Sequence, residues 1–138
     1  MTKEIWLNLP VKDVNKSKEF FTKLGFSFDS KYETNGVNAA LKIGQKNIVV
    51  MLFAEHMFKN FSGVDIADTT KYAEILISID AESQEEVDEF AKKVEAAGGN
   101  LFHKPAENQG WMYGCAFADL DGHRWNMLYM DMSKMPKH

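Results

Sequence analysis

The sequence predicts an α+β fold: two paired βαβββ modules forming a curved mixed sheet around a concave small-molecule cavity. Two observations predict it. The order strand, helix, three strands runs once along the chain and then starts again. Each half also carries one amphipathic helix, which can cover only one face of its half-sheet. The uncovered faces, side by side, would leave a concavity suited to a small ligand. A ferredoxin-like sandwich would use four strands, whereas this chain offers about eight.

The first module runs from about residue 4 to 53. EIWLNLPV (4–11) is short and β-rich and reads as a strand. In DVNKSKEFFTKLGF (13–26), Val14, Ser17, Phe20, Phe21 and Leu24 recur at helical spacing between lysines and a glutamate. Asp13 suits the N-cap and Gly25 the C-terminal stop. FSFDSKY (26–32), VNAALKIG (37–44) and NIVVMLF (47–53) read as three strands, the last two joined by a Gly44–Asn47 hairpin turn. Residues 54–70 read as a linker, either loop or short helix.

The second module runs from about 71 to 131 within the same single domain. KYAEILISID (71–80) reads as a strand. Ser83 and Glu86 have the spacing of a capping box, and Val87, Phe90, Ala91, Val94 and Ala97 form the stripe of a helix stopped at Gly98-Gly99. NLFHKP (100–105), GWMYGCAFA (110–118) and HRWNMLYM (123–130) supply three more strands. The tail SKMPKH reads as frayed.

Composition excludes several classes. A net charge of -4 argues against a nucleic-acid or anionic-membrane partner, which would need clustered Lys and Arg. No apolar run approaches the ~18 residues of a membrane span. The N-terminal stretch, interrupted by Lys3, Glu4, Lys12 and Asp13, has no signal-peptide core. The single cysteine, Cys115, rules out an internal disulfide framework and suits a reducing cytoplasm. It is either a nucleophile or a small buried hydrophobe.

LPVKDVNKSKEFFTKLGF (9–26) and FADLDGHRWNMLYMD (117–131) carry a resemblance. The first resembles the opening strand–helix signature of the glyoxalase, bleomycin-resistance and extradiol-dioxygenase (vicinal oxygen chelate) superfamily, and the second its final hairpin. The resemblance implies four metal-ligand positions, one on the first and one on the last strand of each module. Carried onto this chain they fall at Trp6, Met51, Glu74 and Asn126, with near-equal spacing between the repeats. The residue types argue against a metal. Tryptophan has no lone pair to give, methionine sulfur suits soft ions, and a neutral Asn carbonyl is a weak ligand. Only Glu74 is a good donor. No cofactor is therefore expected, the alternative being a divalent Ni, Zn, Fe or Mn ion.

The remaining readings concern the pocket. Strand alternation puts Glu74 with Leu76 and Ser78, opposite Ile75, Ile77 and Ile79. On an apolar pocket wall Glu74 would be a general acid or base, because burial disfavours the charged carboxylate; otherwise it is a solvated glutamate at a cavity mouth. Asn126 shares a face with Arg124, Leu128 and Met130, and either orients a ligand or fills a degenerate ligand position. Arg124 could pair an anionic substrate. Trp6, Met51, Phe53, Trp111 and Tyr113 suit an aromatic and Met-lined cavity. A bulge-free turn at 119–122 would set Cys115 opposite Asn126 and Tyr113 opposite Leu128, adding both to the pocket. Trp125 and Phe90 suit the core, His123 a structural role, and His56 and His103 the surface. The expected protein is a cytoplasmic homodimer that binds or sequesters a small molecule. The alternative is a lyase, isomerase or dioxygenase working through an atypical metal or Glu74.

Overall fold

Alternation along WLNLPV makes β1 (Trp6–Val11) two-faced: Leu9 and Val11 are buried on one side, while Trp6 and Asn8 are exposed on the other. The buried side meets α1 (Val14–Lys23), whose Val14, Ser17, Phe20 and Phe21 are all buried. Asp13 caps this helix as expected, its side chain accepting from the Lys16 backbone N–H at 3.0 Å. The structure is a computed structural model and describes residues 1–136; Lys137 and His138 of the expected frayed tail lie outside the described residues.

The chain divides into two compact units, Met1–Tyr72 and one that begins at Ala73. In the first, β2 (Ser27–Phe28), β3 (Asn38–Ile43) and β4 (Ile48–Ala54) complete a sheet of order β1-β4-β3-β2. β1 and β4 are parallel and the other pairs antiparallel. β2 is far shorter than the strand expected over 26–32. The Asp29 carboxylate accepts from the Lys31 backbone N–H and turns Ser30–Tyr32 into a 3-10 turn. Lys18 of α1 then ties this turn region down, its Nζ lying 2.6 and 2.7 Å from the two Glu33 oxygens. The linker carries a helix, α2 (Glu55–Ser62), which stops at Gly63 with φ 77°.

The second unit repeats the plan with β5 (Leu76–Asp80), α3 (Gln84–Ala96), β6 (Asn100–Asn108), β7 (Met112–Ala118) and β8 (Arg124–Met130), in the order β5-β8-β7-β6. Ser83 accepts from the Glu86 N–H, while the Glu86 carboxylate reaches back to the Glu82 N–H. Phe90 of α3 packs against Phe117, which stacks on Trp125 with 10° between the ring planes. β5 begins at Leu76, five residues later than expected, because β8 offers a ladder partner only from Arg124 onward. After β8 the tail does not fray at once: Asp131 caps a 3-10 turn over Met132–Lys134.

The β7–β8 register corrects an expectation. The connection is a three-residue loop, Leu120–Gly122, closed by a bond from the Asp119 N–H to the His123 carbonyl, with Gly122 at φ 86°. Cys115 therefore stands opposite Met127, and Tyr113 opposite Tyr129. A register shift of one residue sends a side chain to the other face. Cys115 and Tyr113 thus lie on the α3 side and not with Asn126. No helix among the described residues is long and apolar enough to cross a membrane.

Candidate ligand-binding site

In each sheet the face turned away from its main helix carries a matching row of side chains. In the first unit Asn8, Met51 and Ala40 stand side by side on β1, β4 and β3. In the second, Ser78, Asn126 and Ala116 stand side by side on β5, β8 and β7. The helix caps Asp13 and Ser83 are separated by the same offset as Asn8 and Ser78, so the two rows occupy equivalent places in the repeat. The alanines keep the neighbouring strand low beside Met51 and Asn126. The Asn126 Oδ1 is buried with no hydrogen-bond partner among the described residues. An unpaired buried acceptor costs about 1–3 kcal/mol, so packing alone gives no reason to keep an asparagine there.

The expected pocket residues divide between the faces. Met51, Phe53, Arg124 and Asn126 lie on the faces away from α1 and α3, and Trp6 lies on the same side as Asn8 and Met51. Trp6 stands opposite Val49, two places from the Met51 row, and is 56% exposed. Phe53 packs its ring on Phe61 of α2, centroids 5.3 Å apart. Arg124 lies 4.5 Å from the Phe102 ring centroid, held by a cation–π contact. Glu74 departs from the expectation. It is exposed and precedes β5, so the apolar wall that would have made it a buried acid or base does not surround it.

Cys115 and Tyr113 are taken out of this site by the register. Burial pushes the Cys115 thiol up to about 11, the behaviour of a core residue and not of a nucleophile. Tyr113 donates its hydroxyl to Asp88 Oδ1 at 2.6 Å, which raises the phenol above its ordinary value. It lines a cavity of about 240 Å³ on the α3 side, together with Trp111, Tyr129, Glu85, Glu107 and Asp131. The sequence reading gives Trp111 and Tyr113 to a cavity but sets it on the Asn126 face, and so does not foresee a cavity on the α3 side. The signal was the run of Trp111 and Tyr113, two places apart on one strand face.

The buried Asp119 looks catalytic in isolation. Desolvation pushes its carboxyl up, against the pull of nearby His123. Its oxygens, however, accept from the backbone N–H groups of Asp121 and His123 and from Trp125 Nε1 at 3.0–3.1 Å. Those bonds pin the β7–β8 loop to the core, which is a structural task.

A divalent metal is the group this fold would be expected to hold. The expected ligand positions Trp6, Met51, Glu74 and Asn126 offer a single carboxylate and no imidazole or thiolate, and Asn8 and Ser78, the ladder neighbours of Met51 and Asn126, are neutral. Among the described residues no group of three or more His, Cys, Asp or Glu side chains converges on one point. This donor set does not fit a borderline or hard divalent ion.

Residues 3–44 match the family described as bleomycin resistance protein-like, N-terminal. A hypothetical protein from S. aureus is similar over 94% of both chains, with 36% identity and a TM-score of 0.82. A glyoxalase/bleomycin resistance protein/dioxygenase family enzyme from Burkholderia phytofirmans covers 91% of this chain and 96% of its own, at 16% identity and TM-score 0.77. A lactoylglutathione lyase from Agrobacterium tumefaciens covers 98% of both chains, at 16% identity and TM-score 0.68. At those identities the last two show the fold alone. No functionally curated protein matches the chain.

Proposed function

The chain belongs to the glyoxalase/bleomycin resistance/dioxygenase superfamily, and on that premise we propose that it is a small-molecule binder or sequestering protein with a degenerate metal site. The observation that carries this reading is the chemistry of the two equivalent rows. Asn8, Met51, Ser78 and Asn126 are neutral, and they suit hydrogen bonds and soft apolar contact with an organic ligand. The unpartnered Asn126 Oδ1 becomes an acceptor for a ligand donor when the side chains that cover it move aside. The exposed position of Glu74 outside β5 supports binding over acid–base turnover.

We place the protein in the cytoplasm as a homodimer. β1 and β5 are edge strands of their sheets, and Trp6 and Leu76 on them are 56% and 54% exposed, with Ile5 and Ile75 exposed beside them. Apolar side chains on unpaired edges are an aggregation liability unless something covers them, and a second copy would do so.

The test uses metal-free bleomycin as the probe. Calorimetric titration should show saturable binding that is unchanged by a chelator, and the probe should be recovered chemically intact. Binding that requires an added divalent ion, or a probe converted to product, would overturn the reading.

A further inference from the structure

We propose that the second unit carries a separate binding site for a small organic ammonium ion, in the cavity between the start of α3 and the ends of β7 and β8. The cavity, about 240 Å³, is smaller than the ~300–1,000 Å³ that drug-sized ligands occupy. It lies on the α3 side of the sheet, opposite the face that carries Asn126, so it is independent of the function proposed above.

Three aromatic residues, Trp111, Tyr113 and Tyr129, line this cavity for a reason of register. Tyr113 and Tyr129 stand opposite each other in the β7–β8 ladder. The Asp131 N–H donates to the Trp111 carbonyl at 2.8 Å and carries the pairing two residues further, placing Trp111 on the same side. Aromatic faces attract cations through their ring quadrupole. The Tyr113 hydroxyl is fixed by its bond to Asp88, so its ring is held in place before any ligand arrives.

The charges agree. Glu85, Glu107 and Asp131 line the cavity against one cation, Lys134, whose Nζ lies 3.9 Å from Asp131. The positive end of the α3 dipole would favour an anion, but the first turn of the helix carries the carboxylates of Glu85 and Glu86, which offset it. No three acidic, His or Cys side chains among the described residues converge closely enough for a metal ion, which leaves an organic cation. The Trp111 indole N–H is buried without an acceptor among the described residues.

The probe is choline, compared with 3,3-dimethylbutan-1-ol, in which carbon replaces the charged nitrogen. Nuclear magnetic resonance of the indole N–H signals should show a saturable shift of the Trp111 signal with choline. The neutral isostere should bind roughly tenfold more weakly. The exposed carboxylates Glu85 and Glu107 are not needed for packing, so the double variant Glu85→Gln, Glu107→Gln should keep its fold and weaken choline several-fold. No saturable shift, equal binding of the isostere, or an unchanged double variant would each sink the proposal.

Discussion

Ser78 of β5 stands directly opposite Asn126 of β8, and the first unit repeats the arrangement with Asn8 opposite Met51. Two cross-strand neighbours on one face are the natural place for a pair of metal ligands. Here none of the four carries a charge. The expected result of elemental mass spectrometry, after incubation with Ni, Zn, Fe or Mn and desalting, is far less than one ion per chain. A stoichiometric ion that disappears in Asn126→Ala would restore a metal centre and reverse the reading.

Asn126 also sets binding against stability. Its Oδ1 is buried and unpaired, so the folded state carries the desolvation cost with no bond in return. Asn126→Leu should leave stability unchanged or raise it by up to ~1–2 kcal/mol in urea unfolding. The same variant should lose affinity for the bleomycin probe. A variant that unfolds more easily and still binds would show that the amide is packing, not recognition.

The edge strands give a prediction about assembly. Trp6 and Leu76 occupy matching places at the start of β1 and β5, and more than half of each side chain's surface is exposed. Light scattering after gel filtration should give a dimer mass for the parent chain. The double variant Trp6→Lys, Leu76→Lys should run as a monomer with its circular dichroism unchanged, since neither side chain is in the core of its own unit. A parent that is monomeric at all concentrations would remove the dimer from the proposal.

The sequence made some features legible and hid others for identifiable reasons. Both helices with their Asp13 and Ser83 caps could be read, because the caps and the apolar stripes are local signals. The doubled element order was equally plain. Strand register was not. The choice between a loop of three residues and a turn of four at Asp119–Gly122 depends on how Asp119 is pinned to Trp125 and His123, a tertiary fact. That single step moved Cys115 and Tyr113 across the sheet. The start of β5 was hidden likewise, since it is set by where β8 offers a partner, and Glu74 fell off the strand as a result. The pairing that makes Asn8 and Ser78 the neighbours of Met51 and Asn126 follows from the same ladders.

The position of Cys115 in the core makes a prediction about reactivity and pH. Burial raises its thiol from 9.0 to about 11, so the thiolate fraction near pH 8 falls by roughly 100-fold. Iodoacetamide should label the native protein at least that much more slowly than the urea-unfolded chain. The sign of the stability effect follows from the same shift. The folded state holds the proton more tightly, so the unfolded chain is the first to ionise as pH rises. The associated stability is fully present below 9.0 and is lost as pH climbs through about 11. The parent should therefore lose stability across that window more steeply than Cys115→Ala, measured by urea midpoints at matched pH. Rapid native labelling, or equal slopes in the two proteins, would mean that Cys115 is open to solvent and that the β7–β8 register places it elsewhere.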